Sequence, residues 1–287
     1  MDQRIIDLYD EYAHAPLDRR VFLDRLAALA GGAAAAAALL PLLEIKRAEA
    51  AVVAPDDPGV IAAYVSYPGK SGPVRGYLAR PASGKNFGAV LVIHENRGLN
   101  AHIEDVARRL ALAGFVALAP DLLSAAGGTP TDEDKARDMI QKLDRPVALA
   151  DAVAGIAWLH TQPDVNGKVG AVGFCWGGGM VNQLAVADPT LDAAVAYYGA
   201  QPEAADAAKI KAPLLLHYAG LDERIDAGIP AYRAALDKAG VSYEVYIYEG
   251  ANHAFNNDTS PARYDAKVAK LAWDRTIAFF TAKLKPA

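Results

Sequence analysis

The sequence predicts an α/β fold in which helices cover both faces of a mostly parallel sheet. From about residue 55, apolar runs of strand length alternate with amphipathic helical segments. This alternation requires parallel strands joined by right-handed crossovers. The runs at 88–95 and 115–120 are continuously apolar, as expected for strands buried on both faces. Residues 60–67 and 74–80 instead alternate with a period near two around a turn-rich PGKSGP, which predicts an antiparallel hairpin in front of the parallel strands.

The rest of the chain continues this alternation. Residues 102–114 carry apolar side chains at helical spacing and end at Gly114, which we expect to cap the helix. Thr131 is the expected N-cap of a helix that begins within 127–146. The remaining predicted elements are helices at 147–160, 177–187, 229–240 and 273–284 and strands at 168–174, 193–199, 212–220 and 243–250.

Composition restricts the class of protein. The 287 residues are 53% hydrophobic and 22% charged, which is typical of a soluble globular protein. A net charge of −5 provides no basic surface, so we expect no nucleic-acid partner. The single cysteine excludes an intrachain disulfide and any zinc site built from several cysteines. We expect one catalytic domain over residues 51–287.

Residues 1–50 have a different pattern. The twin arginine Arg19 and Arg20 precedes an apolar stretch over 26–43, and AEA at 48–50 has the small residues expected of a cleavage site. Together these features predict a twin-arginine export signal and a periplasmic protein. The alternative is a helical segment that stays attached to the body of a cytoplasmic protein. We expect no membrane anchor, because the glycines and alanines of the apolar stretch make a weak span.

The single cysteine, Cys175, lies in the sequence G-x-C-x-G between an apolar strand and a helix. This is the context of a nucleophile elbow, with cysteine in place of serine. Because the nucleophile occupies a strained turn, glycines two residues away prevent collisions with the neighbouring elements. The following helix N-terminus favours a thiolate and then an oxyanion. A structural core cysteine would need none of this, and a peroxide-reducing cysteine usually needs a second, resolving thiol.

Three further residues complete a candidate catalytic set. Asp222 and His253 each follow a predicted strand, and the chain order nucleophile, acid, histidine is that of α/β hydrolases. Glu95 ends the first buried strand, where its carboxylate can accept the proton of the thiol. Since the carboxyl ends of parallel strands share one edge of the sheet, we expect Cys175 and these three residues to lie in one cleft.

The same turns supply candidate binding groups. The backbone amides of Trp176 and Asn96 are the expected oxyanion hole. Arg97, Trp176 and Tyr198 are the candidate substrate-binding residues, with Arg97 as an anchor for an anionic group. Neighbouring residues on a strand diverge, so His94 beside Glu95 does not make a pair of metal ligands. We expect no metal and no other cofactor.

Over residues 56–285 the sequence resembles the dienelactone hydrolase (carboxymethylenebutenolidase) family of the α/β-hydrolase superfamily. The resemblance implies an α/β-hydrolase sandwich, a triad of Cys175, Asp222 and His253 with Glu95 beside the resting thiol, and hydrolysis of an enol-lactone through a thiol acyl-enzyme. The residues that carry the resemblance are HENRGLN (94–100), EDVARRLALAGFVALAPDLLS (104–124), GFCWGGG (173–179), GLDE (220–223) and NHAFNND (252–258).

The sequence departs from the family pattern where substrate is recognised. In the family, a serine follows the catalytic histidine and an arginine soon after holds the substrate carboxylate; this chain has Ala254 and Asn257 there. We therefore expect hydrolysis of a small activated ester or lactone without assigning dienelactone as the substrate. The alternatives are an acyltransferase that uses the same thiol and a non-catalytic binding protein on the hydrolase fold. The sequence does not indicate an oligomeric state.

Overall fold

The computed structural model describes residues 1–15, 17–44 and 51–285. The helices of this part are α1 (Gln3–His14), α2 (Arg19–Ala30), α3 (Ala33–Leu43), α4 (Ala101–Leu112), α5 (Glu133–Gln141), α6 (Arg145–His160), α7 (Trp176–Ala187), α8 (Glu223–Asp226), α9 (Ile229–Ala239) and α10 (Ala266–Leu284). The strands are β1 (Val60–Gly69), β2 (Gly72–Pro81), β3 (Phe87–Ile93), β4 (Phe115–Pro120), β5 (Val165–Phe174), β6 (Ala193–Tyr197), β7 (Leu214–Ala219) and β8 (Tyr243–Tyr248).

The strands form one sheet in the order β1-β2-β4-β3-β5-β6-β7-β8. The β1–β2 and β2–β4 pairs are antiparallel, and every later pair is parallel. Apolar side chains of α4 and α10 pack on one face of the sheet, and those of α6, α7 and α9 pack on the other. The predicted three-layer α/β-hydrolase sandwich, with an antiparallel hairpin before a mostly parallel sheet, is confirmed.

The helix after residue 127 begins one residue later than expected. Asp132, rather than Thr131, caps α5, and its carboxylate accepts a hydrogen bond from the backbone N–H of Lys135. The negative charge of a carboxylate at this position is also stabilised by the positive end of the helix dipole. The short helix α8 was not predicted; it begins directly after Asp222, whose side chain accepts from the N–H of Ile225.

The N-terminal helices enclose a small apolar cluster of their own. Helix α1 also binds the body of the protein, because Arg263 donates a 2.7 Å hydrogen bond to Asp10 and Arg137 lies 4.2 Å from the ring centre of Tyr12. Arg19 of the twin arginine pairs with Asp134. The cluster consists of Ile5, Leu8, Tyr9, Tyr12, Phe22, Leu26, Ala36 and Leu43.

The helices that make these contacts lie within residues 1–50, which the sequence predicts to be an export signal. The cleavage site at 48–50 lies outside the described residues, and export to the periplasm stays a prediction. No single helix of the described residues has the length and apolar character of a membrane span. Taken together, helices α2 and α3 are long and apolar enough for a span, but they form a pair that is bent by 111°.

The glycines around Cys175 allow close backbone contacts between α7 and the sheet. A Cβ atom added to Gly173 would lie 2.1 Å from the carbonyl oxygen of Gly177, and one added to Gly178 would lie 2.5 Å from the carbonyl oxygen of Tyr197. Gly179, one residue further, is different, because a Cβ there would lie 3.4 Å from its nearest neighbour, in ordinary contact.

Substitution of these adjacent glycines should therefore have opposite effects on stability. We expect Gly178→Ala to lower the free energy of unfolding by about 1–3 kcal/mol, as overpacking against rigid backbone does. Gly179→Ala should raise it by up to about 1 kcal/mol, since alanine is the better helix former. Urea denaturation of both variants measures the difference, and equal effects would contradict this account of the packing.

Candidate active site

Cys175 occupies a strained turn between β5 and α7. Its φ is 57° and its ψ is −117°, and its backbone N–H donates a 3.0 Å hydrogen bond to the carbonyl of Tyr197. Tyr198 and Ala254 also have positive φ values, of 38° and 64°. Non-glycine residues in such conformations cost free energy and are concentrated at functional sites. Of the four non-glycine residues with positive φ among the described residues, these three are at or next to the site, and the fourth is Asn86.

His253 and Asp222 form a buried pair beside the sulfur. Nδ1 of His253 donates a 2.5 Å hydrogen bond to the Asp222 carboxylate. Burial lowers the pKa of His253, but the charges of Cys175 and Asp222 outweigh it and raise that pKa to about 10. Burial raises the pKa of Asp222, and the hydrogen bond and charge of His253 more than reverse this, so the net shift is downward. The pair thus favours the charged, imidazolium form of His253.

A second histidine, from α1, also reaches the thiol. Nε2 of His14 lies 3.1 Å from Sγ of Cys175, and the rings of His14 and His253 are 4.5 Å apart in an edge-to-face arrangement. A cysteine sulfur and ligating atoms of both histidines lie within 4.8 Å of one another. Burial first, and then the charge of His253, lower the pKa of His14 well below its ordinary value.

The sequence interpretation did not identify His14. The residue lies in the segment assigned to an export signal, before the twin arginine. A usable signal was present, because Ile5, Leu8, Tyr9 and Tyr12 recur at helical spacing and predict a helix that buries one face. The n-region of an export signal is charged and needs no such apolar face.

Glu95 is buried beside the site, but its hydrogen bond is to Asn257. Nδ2 of Asn257 donates a 2.6 Å hydrogen bond to Oε2 of Glu95. Oε1 of Glu95 is buried and has no hydrogen-bond partner among the described residues. A cavity of about 10 Å³ is lined by both Glu95 and Cys175. In this state the thiol is hydrogen-bonded to His14, and the predicted proton transfer from the thiol to Glu95 stays a prediction.

The two residues of the expected oxyanion hole lie next to the nucleophile. Trp176 is the first residue of α7, and the N–H groups of a first helical turn have no intrahelical acceptor. Its ring stacks on His94 with the ring centres 5.4 Å apart. The side chain of Asn96 donates a 2.7 Å hydrogen bond to the carbonyl of Ala13, so the turn that carries the second amide also holds α1 in place.

A cavity of about 480 Å³ opens on these groups. Cys175, His253, Trp176 and Tyr198 all line it, so two of the three candidate substrate-binding residues face the same space as the nucleophile. The volume suits a small organic molecule.

Arg97 lies outside the lining of that cavity. It is buried, and its guanidinium donates a 3.3 Å hydrogen bond to the carbonyl of Glu133. The arginines that line the large cavity are Arg145 and Arg224. Arg97 does line the cavity of about 10 Å³, together with Cys175 and His253. Its assignment as an anion anchor stays a prediction.

The sheet order, the strained elbow and the acid–histidine pair define an α/β hydrolase. The family model of the dienelactone hydrolase family matches residues 74–284, and a second model, described as YqhI-like, matches residues 1–31. A Methylorubrum extorquens protein assigned as a carboxymethylenebutenolidase is 33% identical over an alignment of 243 residues that covers 79% of this chain and 83% of the relative. The chain belongs to the dienelactone hydrolase family.

Solved structures agree with this assignment. A Klebsiella pneumoniae protein assigned as a dienelactone hydrolase is 31% identical with a TM-score of 0.71, over 77% of this chain and 98% of that one. A dienelactone hydrolase-like promiscuous phosphotriesterase from metagenomic libraries is 28% identical with the same TM-score, over 78% of this chain and 99% of that one. The protein is an enzyme of the ester and lactone hydrolase type.

The hydrogen bond between Asn257 and Glu95 predicts the effect of a charge substitution. Asn257→Asp places a second carboxylate against Glu95 in a buried position, and we expect it to lower the free energy of unfolding by about 2 kcal/mol or more. Adding Glu95→Gln should restore most of that loss, because the glutamine amide can donate to the new carboxylate. Chemical denaturation of the single and double variants measures this coupling, and additive losses would contradict the pairing.

Proposed function

We propose that the enzyme hydrolyses activated esters or lactones through an acyl-thioester on Cys175. The observation that supports this most strongly is the position of a strained cysteine within 4.8 Å of a buried histidine whose other nitrogen binds a carboxylate. That arrangement is the triad geometry with sulfur as the nucleophile. The family match supports the class of reaction and leaves the nucleophile to be tested.

In the first half-reaction, the Cys175 thiol gives its proton to Nε2 of His253. The thiolate attacks the carbonyl carbon, and the charge that develops on the carbonyl oxygen is stabilised by the backbone amides of Trp176 and Asn96. Each such donor contributes about 3–4 kcal/mol in comparable sites. The imidazolium then returns the proton to the departing alkoxide or enolate, which leaves an acyl group on the sulfur.

In the second half-reaction, His253 takes a proton from water and the resulting hydroxide attacks the thioester. Collapse of the second tetrahedral intermediate releases the carboxylic acid and the thiolate, which regains the proton from His253. Asp222 holds the ring in the tautomer that these steps need and stabilises the imidazolium. We also assign Glu95, which is oriented by its hydrogen bond from Asn257, as a second group that can accept the proton of the Cys175 thiol.

The cavity favours a substrate that carries a negative charge. Arg145 and Arg224 line it and provide two cations, whereas the family position for a carboxylate-binding arginine holds Asn257, which is bonded to Glu95. We infer that this chain binds a substrate carboxylate from a different side of the cavity than the family pattern implies. The substrate class is then a small lactone or activated ester with an acidic group.

Replacement of the nucleophile tests the mechanism. Cys175→Ala should lower kcat/KM for p-nitrophenyl acetate by at least about 10³-fold, since it removes the covalent step. Cys175→Ser keeps the shape of the site and shows whether a hydroxyl can replace the sulfur. Steady-state hydrolysis with matched circular dichroism spectra measures both, and an unchanged rate in the alanine variant would exclude Cys175 as the nucleophile.

Replacement of a cavity arginine tests the substrate class. Arg145→Gln should raise KM about two- to fivefold for a lactone that carries a carboxylate, the size expected of an exposed charge pair. The same variant should leave KM for the neutral p-nitrophenyl acetate unchanged. Lys142→Gln, a nearby cation outside the cavity lining, is the matched control. Equal KM changes for both substrates would contradict the proposed anion site.

A further inference from the structure

Three metal-ligand side chains converge at one point in the active site. Nε2 of His14 is 3.1 Å from Sγ of Cys175, and ligating atoms of His14, Cys175 and His253 lie within 4.8 Å of one another. All three residues line the large cavity, so the point is open to a small molecule. Two imidazoles and a thiolate are a ligand set that suits zinc and disfavours magnesium or calcium.

The hydrogen bonds at the far side of each ring fix which nitrogen is free. Nδ1 of His14 donates a 2.8 Å hydrogen bond to the carbonyl of Asp10, which can only accept. Nδ1 of His253 donates to the Asp222 carboxylate, which also accepts. A cation that binds at Nε2 of His253 displaces the proton that this ring otherwise carries, and each ring then presents the lone pair of its Nε2 to the site. Histidines that bind metals are held in this way, by a carboxylate or a backbone carbonyl on the other nitrogen.

The thiol proton cannot satisfy both rings. A single S–H can donate to Nε2 of His14 or of His253, and the buried Nε2 of His253 has no hydrogen-bond partner among the described residues. A divalent cation between the three atoms would pair with both lone pairs and with the thiolate.

We propose that His14, Cys175 and His253 form a reversible binding site for Zn²⁺, in which the metal blocks the thiol. Bond lengths of about 2.0–2.1 Å to nitrogen and 2.3 Å to sulfur require ligand atoms about 3.3–3.6 Å apart, so side-chain shifts on the order of 1 Å close the site. Binding forms a Zn–S bond and releases the thiol proton to solvent. The fourth position faces the cavity and takes a water.

The site depends on the N-terminal helix. His14 is the last residue of α1, and a cleavage after residue 50 would remove it together with the site. Metal binding itself does not require turnover. Only the block on turnover rests on the proposed thiol mechanism.

Cobalt titration of the full chain tests the site without substrate. Co²⁺ should give a thiolate-to-metal charge-transfer band and tetrahedral d–d bands in the wild type, and no charge-transfer band in Cys175→Ala. His14→Gln should weaken Zn²⁺ binding by at least about 100-fold in competition with Co²⁺, since even loss of an outer partner of a ligand costs about 10–100-fold. His160→Gln, on the exposed end of α6, is the matched control and should bind as the wild type does.

Inhibition is the second measurement. Zn²⁺ should inhibit p-nitrophenyl acetate hydrolysis by the wild type at concentrations about 100-fold lower than for His14→Gln, each compared with its own metal-free rate. If His14→Gln does not fold, zinc-edge X-ray absorption of the wild-type complex decides, with one sulfur and two imidazoles expected. Absence of the cobalt band, a single imidazole, or equal affinity in His14→Gln would overturn the site. If Cys175→Ala loses activity but the wild type shows no cobalt charge-transfer band, the metal site is rejected and the thiol mechanism stands.

Discussion

Helix α7 begins in direct backbone contact with the ends of two strands. A Cβ atom on Gly177 would lie 2.4 Å from the carbonyl oxygens of Ile93 and His94, and one on Gly178 would lie 2.5 Å from that of Tyr197. At this close approach, Cys175 has a φ of 57°, the strained turn of a nucleophile elbow, which exposes the side chain at the sheet edge. Because β3 and β6 end at the same contact, the turns that carry Glu95 and Tyr198 are fixed relative to the sulfur.

The chemistry at that edge follows from burial. Cys175, Asp222 and His253 are removed from water, so the charge of Cys175 and then the hydrogen bond and charge of Asp222 raise the pKa of the histidine despite its burial. The same burial keeps His14 neutral. One histidine is thus suited to carry charge during acyl transfer, and the other presents a lone pair. We attribute hydrolysis to the first property and zinc binding to the second.

Much of this arrangement could be predicted from the sequence, because its signals are local. The alternation of apolar strands and helices predicts the sheet, and the flanking glycines predict the elbow at Cys175. Contacts between distant segments have no such pattern. His14 meets Cys175 across 161 positions, and Asn257 meets Glu95 across 162. The role of Arg97 could not be settled from the sequence for the same reason, since the direction of a loop side chain depends on what packs beside it.

Intact-mass measurement of a trapped acyl-enzyme tests the central claim most directly. The full-length wild type would be mixed with p-nitrophenyl acetate and quenched in acid during turnover, and its intact mass would be measured by mass spectrometry. The account predicts a species heavier by one acetyl group that maps to the peptide containing Cys175 and is absent from Cys175→Ala. Wild-type turnover with no adduct, or with an adduct on another residue, would contradict the thiol mechanism.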